Sequence, residues 1–130
     1  MVEVSLGHNL DPVIVGPITR HMLALYCGAS GDHNPIHVDS DFAKAAGMGD
    51  VFAHGMLSMA FLGRVLTNWV PQEKIQEFEV RFTTIVRVGD IVTATGKVIS
   101  VANGSAELEM HASNQNGEVV IKGRASVVLD

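Results

Sequence analysis

The chain has a single cysteine, Cys27. A lone thiol cannot close an intramolecular disulfide, so the fold must be held by its core, and a reducing compartment is expected. Basic residues are few: nine Lys and Arg face fourteen Asp and Glu, a formal net charge of -5 at pH 7 with histidine neutral. No run of Lys and Arg supplies the footprint that nucleic acid would need. Long apolar runs are lacking too, since Arg64 interrupts the greasiest stretch before it could span a bilayer. The opening residues, Met1-Val2-Glu3-Val4, show no basic region followed by an apolar one, so no signal peptide and a cytoplasmic location are expected. Repeats, low-complexity tracts and linkers are missing, so residues 1–130 are expected to form one domain. Aromatic residues make up only 5% of the chain, while 47% is hydrophobic and 18% charged. That composition points to a globular protein with an aliphatic core and apolar surface to spare for a second subunit.

Two periods organise what is there. Val13, Ile14 and Val15 form a short apolar run closed by Gly16-Pro17, an expected strand. Thr19 suits the N-cap of a helix carrying Met22, Leu25, Tyr26 and Ala29 at helical spacing, which Gly28 and Gly31 end. Asp39 or Ser40 can cap a brief helix through Phe42 and Ala46, stopped by Gly47 and Gly49. Residues 55–69 are apolar on nearly every face, which predicts a helix enclosed by the rest of the protein and stopped by Pro71. Gly63 within it leaves room for a strand or ligand to come close. After Pro71 the period becomes two. Phe78, Val80 and Phe82 alternate with Glu79, Arg81 and Thr83, and Gly89-Asp90 makes a turn. Ala106, Leu108, Met110 and Ala112 alternate with Glu107, Glu109, His111 and Ser113. Asn103-Gly104 is a type I′ hairpin signal, and Asn116-Gly117 a second hairpin. The expected class is α+β: an antiparallel meander wrapped around one long apolar helix, with edges free to pair with a second copy.

The chemistry concentrates in Ser30-Gly31-Asp32-His33-Asn34-Pro35-Ile36-His37. Pro35 fixes its own φ and pushes Asn34 toward an extended conformation, so the loop between Asp32 and His37 is stiff. A carboxylate and an imidazole held this way can share one water, one partner moving the water's proton and the other serving the adjacent carbon. The residues leave open which partner is acid and which is base. His54-Gly55-Met56-Leu57 follows, a glycine-led entry into the apolar helix. The first N–H groups of a helix lack internal acceptors, so the Gly55 amide can hold an oxyanion developing on a carbonyl. Each residue also has a plainer role: Asp32 capping backbone amides, His37 and His54 as hydrogen-bonded structural histidines, Gly55 in a tight turn. The combined string favours acid/base chemistry beside a carbonyl. A metal site from Asp32, His33, His37 and Asp39 is disfavoured, because Pro35 prevents the helix that would align His33 with His37. Ser58 lacks the G-x-S-x-G elbow of a nucleophile, and Cys27 reads as a small buried hydrophobe.

Gly31-Asp32-His33-Asn34-Pro35-Ile36-His37, then Ala53-His54-Gly55-Met56-Leu57, then Val80-Arg81-Phe82, resembles the MaoC-like dehydratases. That family includes (R)-specific enoyl-CoA hydratases and 3-hydroxyacyl-carrier-protein dehydratases, and the resemblance runs from Gly16 to Val128. It implies a hot-dog fold, usually dimeric, with a homodimer or a heterodimer with a related subunit as the expected assembly. It implies Asp32 and His37 as the catalytic pair and Gly55 as the oxyanion amide, and Asn34 matches the family asparagine that shapes the loop or orients the pair; Asn34 and His54 are the expected substrate-binding residues, with capping of the turn the plainer role for His54. The implied reaction is reversible syn addition of water to a trans-2-enoyl thioester of CoA or acyl carrier protein, giving the (R)-3-hydroxyacyl thioester. Neither metal nor redox cofactor is implied. Arg64, Arg81, Arg87, Lys97, Lys122 and Arg124 are the candidates for the carrier's phosphate-bearing arm. A hot-dog thioesterase and a non-catalytic acyl-binding subunit are the competing readings. Thioesterases of this fold usually lack the D-x-N-P-x-H string, and an inactive chain has no need of both Asp32 and His37.

Overall fold

The computed structural model describes residues 4–129. Strand β1 is Val13–Val15, helix α1 Arg20–Ser30, helix α2 Ser40–Ala45 and helix α3 Gly55–Thr67. Strands β2 (Ile75–Phe82), β3 (Val92–Ala102), β4 (Ser105–Ser113) and β5 (Val119–Val128) follow. The local rules act as the residues suggest. Thr19 Oγ1 accepts from the Met22 amide at 3.1 Å to start α1, and Asp39 Oδ1 accepts from the amides of Asp41 and Phe42 to start α2. Gly31, with φ 79°, caps α1; Gly28, expected to end it, lies inside the last turn instead, because one glycine is tolerated where its neighbours remain helical.

The five strands form one antiparallel sheet in the order β1-β3-β4-β5-β2. This corrects the simple meander. β3, β4 and β5 follow one another, but β2 pairs with β5 rather than with β3, its neighbour in sequence. The Gly89-Asp90 turn therefore ends a crossing connection and does not close a hairpin. Asp90 is buried there, accepting from the Arg87 backbone amide at 2.8 Å and from Gln115 Nε2 at 3.0 Å. Asn103 and Gly104 both have positive φ, as a type I′ turn requires. The second turn is wider than its Asn-Gly pair suggests. Asn114 Oδ1 takes the amides of Asn116 and Glu118, and only Gly117 has positive φ.

The sheet curls around α3, which touches all five strands. Leu62 and Leu66 of α3 meet Val98, Leu108, Met110 and Ile121 in a core from which water is excluded. Burying each large aliphatic chain contributes roughly 1.5–3 kcal/mol. The close fit of β5 to β2 depends on Gly123, since a Cβ there would collide with the Glu79 carbonyl oxygen. One expectation about α3 needs correcting. The helix is not enclosed on every side: Met56 is 56% exposed and Ala60 is exposed one turn further on. Arg64 and Thr67 continue this exposed face, so its first half is an apolar stripe that the single chain does not bury. Among the described residues, no helix is long and apolar enough to cross a membrane.

Candidate active site

A chain of short polar turns carries Asp32 out of α1. Ser30 Oγ accepts from the Asp32 amide, Asp32 Oδ1 from the Asn34 amide, and Asn34 Oδ1 from the Ile36 amide, at 3.1, 3.2 and 3.1 Å. These are the side-chain-to-backbone turns that Ser, Asp and Asn favour. Pro35–His37 then makes one 3-10 turn, with Asn34 as its cap, which swings His37 inward. The side chain of His37 is 11% exposed and that of Asp32 is 53% exposed. His37 Nε2 and Asp32 Oδ2 face each other at 4.0 Å. Asp32 Oδ1 caps an amide while Oδ2 stays turned to the imidazole.

The tautomer of His37 follows from its other nitrogen. Nδ1 lies 2.8 Å from the Phe52 carbonyl oxygen, which only accepts, so Nδ1 carries the hydrogen. In the neutral ring Nε2 is then a bare lone pair directed at the carboxylate. The Phe52 ring meets His37 edge-on, with centroids 5.2 Å apart.

His54 lies behind the pair. It is 2% exposed, its ring stacked on that of His37 at 3.8 Å and met edge-on by Tyr26 at 4.7 Å. Its Nε2 is 3.2 Å from the Asp32 carbonyl oxygen and 3.4 Å from Cys27 Sγ. Burial pushes its pKa below the ordinary imidazole value; the Asp32 carbonyl bond pulls the other way, His37 adds to the lowering, and the Asp32 charge opposes it. Burial, seconded by the Asp32 charge, raises the pKa of both the Cys27 thiol and the Tyr26 phenol.

Gly55 opens α3 and borders a cavity of about 270 Å³, whose wall includes Phe52, His54, Ser58, Phe82, Val86 and Val120. The Phe82 ring lies over Gly55, where an added Cβ would meet it at 3.1 Å. Although β2 alternates as expected, Phe82 is 51% exposed, so its ring forms a rim and not part of the core. Asp32 and His37 are not on the cavity wall. Phe52 and His54 both touch His37 and also line the cavity beside Gly55.

Asn34 is exposed and its carbonyl is engaged in the loop, so its visible work is shaping the Asp32–His37 turn. His33 is exposed. Asp32, His37 and His54 bring one ligand atom each within 4.8 Å of one another. Their geometry suits an ion poorly: the two imidazole planes are 23° apart and stacked, so an ion in the plane of one ring lies off the plane of the other. Zinc needs in-plane nitrogen donors at about 2.0–2.1 Å. Of the basic candidates, Arg81, Lys97, Lys122 and Arg124 line a groove of about 700 Å³ on the solvent face of the sheet. There Arg124 is paired with Glu79 at 3.2 Å and Glu107 at 3.8 Å.

Sequence reasoning missed Tyr26, Phe82 and the carbonyl of Phe52. Tyr26 was legible only as a helical core position, and a carbonyl acceptor carries no side-chain signature at all.

A curled antiparallel sheet around one apolar helix defines a hot-dog fold. Residues 3–120 match the profile of the MaoC like domain, and the chain belongs to that family. It is 33% identical to the (R)-specific enoyl-CoA hydratase of Rhodospirillum rubrum over 115 residues, 86% of this chain and 80% of the relative. Among solved structures, the (R)-hydratase of A. caviae involved in PHA biosynthesis superposes with a TM-score of 0.87 at 25% identity, covering 98% of each chain. The unliganded R-hydratase PhaJ1 of Pseudomonas aeruginosa also gives 0.87, at 26% identity over 98% of this chain and 83% of that one.

Proposed function

We propose that this protein catalyses the reversible hydration of trans-2-enoyl thioesters to (R)-3-hydroxyacyl thioesters. The observation that carries the reading is His37 Nε2 facing Asp32 Oδ2 across 4.0 Å while Nδ1 is held by the Phe52 carbonyl. One water fits there within hydrogen-bonding distance of both atoms. In hydration, His37 Nε2 takes a proton from that water as its oxygen bonds to C3 of the enoyl group. The C2=C3 electron pair moves toward the carbonyl, and the Gly55 amide receives the enolate oxygen. Such a donor is worth about 3 kcal/mol of barrier. The imidazolium then gives the proton to C2 on the same face, completing syn addition and regenerating neutral His37. Asp32 accepts a hydrogen bond from the water's second O–H, whose hydrogen stays on the product hydroxyl, and its charge stabilises the transient imidazolium. The (R) outcome comes to this chain from its named relatives.

The substrate is read as an acyl-CoA or acyl-carrier-protein thioester, and the working form as a homodimer or a heterodimer with a related hot-dog subunit. Support for assembly comes from the open edge of β2, the exposed Met56 and Ala60, and the half-exposed Phe82 beside Gly55. Residues 1–130 are read as one domain, and the lone Cys27 supports a cytoplasmic location.

The test is loss of conjugated enoyl absorbance from a short trans-2-enoyl-CoA, with chiral analysis of the product. The expected result is an (R)-3-hydroxyacyl-CoA formed by wild type and nearly abolished by Asp32→Asn. Thioester cleavage without hydration would establish the thioesterase instead, and equal inertness of both proteins would favour a partner-dependent subunit. Light scattering with size exclusion reads the assembly directly.

A further inference from the structure

His54 is almost fully buried beside the reacting pair, yet the proposed reaction gives it no proton to move. Its placement carries a penalty, because Nδ1 is buried without a partner. Which hydrogen the ring holds decides how large that penalty is. With the hydrogen on Nδ1, a buried donor would be stranded and the Asp32 carbonyl would lose its bond. With it on Nε2, the ring donates to the Asp32 carbonyl at 3.2 Å and only a lone pair goes unmatched. A stranded donor costs about 1–3 kcal/mol, so the Nε2–H form is the one the site selects. Burial lowers its pKa and so favours the neutral ring.

The bonds around Asp32 show what that hydrogen does. The contacts with Ser30 and Asn34 are local, two residues away on either side, and hold the loop's shape without tying it to the body of the protein. The bond from His54 reaches Asp32 from the entrance of α3, twenty-two positions along the chain. The same ring stacks on His37, and its neighbour in sequence is the oxyanion glycine. With the Asp32 side chain half exposed, its carboxylate goes wherever the backbone goes.

We infer that His54 is a positioning residue: its Nε2–H anchors the Asp32 carbonyl while its ring backs His37, fixing the approach of Asp32 Oδ2 to His37 Nε2 and linking both to Gly55. The inference rests on Asp32 and His37 being the catalytic pair. Misplacement by about 1 Å can reduce a rate about 100-fold, which sets the scale of the expected effect.

Two variants test it. His54→Phe keeps the stacked ring and fills the volume but removes the donor. His54→Gln places an amide N–H near the same spot. The expected result is a kcat lower by about 100-fold in His54→Phe with KM changed less than about threefold, and at least tenfold recovery in His54→Gln. Both should melt within a few degrees of wild type. Amide hydrogen exchange gives a second readout independent of turnover: the Asp32 and Asn34 amides should exchange at least about tenfold faster in His54→Phe than in wild type or His54→Gln. Wild-type kcat and wild-type exchange in His54→Phe would overturn the inference while leaving the hydratase reading intact. Exchange at the Asp32 and Asn34 amides that is equally fast in both variants would overturn it too, by showing that the donor does not hold the loop. An inert wild type would defeat the hydratase reading, and the exchange rates would still decide whether His54 anchors the loop.

Discussion

Replacing His37 by alanine and by asparagine separates the work of its two nitrogens. Nδ1–H bonds the Phe52 carbonyl at 2.8 Å, and Nε2 faces the carboxylate. Alanine removes both. It strands the half-buried carbonyl, at about 1–3 kcal/mol, and deletes ring packing on His54 and Phe52, at about 0.5–1.5 kcal/mol; together the loss is about 1.5–4.5 kcal/mol. Asparagine places an amide N–H close to where Nδ1 was, so the carbonyl keeps its donor and only the ring contacts go, about 1 kcal/mol. The asparagine variant should therefore be more stable than the alanine variant by about 1–3 kcal/mol in urea unfolding. Activity should not follow stability. Both variants lack Nε2, so both should lose about 100- to 10,000-fold in kcat, the range ascribed to a positioned acid/base group. The assay is enoyl absorbance at saturating substrate. An asparagine variant that kept more than a tenth of wild-type kcat would refute the assignment of Nε2 as the base. Equal stability of the two variants would refute the structural role given to Nδ1.

Two other consequences concern the frame that holds the site. Asp50 binds Arg20 of α1 at 2.7 Å, Ser40 of α2 at 3.0 Å and the Val51 amide at 2.7 Å. The Arg20 bond, then the Val51 amide, hold its pKa at about 2 against an ordinary 3.8. A depressed carboxyl pKa stabilises the fold above the unfolded-state value, and that contribution disappears as pH falls through the folded one. Asp50→Asn should thus be less stable than wild type at neutral pH, with the gap closing between about pH 4 and pH 2; urea midpoints across that range would show it, and a constant gap would contradict it. Gly123→Ala drives a methyl into the Glu79 carbonyl and must push β2 off β5. A loss of about 1–3 kcal/mol is expected, and a variant with an unchanged urea midpoint would show that β2 sits less tightly than described.

The site was legible where side chains state their own chemistry. Asp32 and His37 drew attention because carboxylate, proline and imidazole sit in one stiff string, and the loop realises that stiffness through Asn34 capping a 3-10 turn. α3 was legible from its apolar run, its start at Gly55 and the stop before Pro71. Three things were not. Strand order was hidden, because periodicity tells which face of β2 is apolar but not that its partner is β5. The exposed stripe of Met56 and Ala60 was hidden because an all-apolar helix does not reveal how many faces its own chain can cover. The tautomer of His37 was hidden because it is set by the Phe52 backbone carbonyl, an acceptor every residue possesses.

The account stands most directly on Asp32→Asn, which keeps size and the Asn34 amide bond but removes the charge facing His37. The measurement is kcat, KM and melting temperature of wild type and variant on one trans-2-enoyl-CoA. In the variant kcat should fall by at least about 100-fold, with KM and melting temperature nearly unchanged. A variant retaining more than a tenth of wild-type kcat would contradict it, because water would then be activated without the pair.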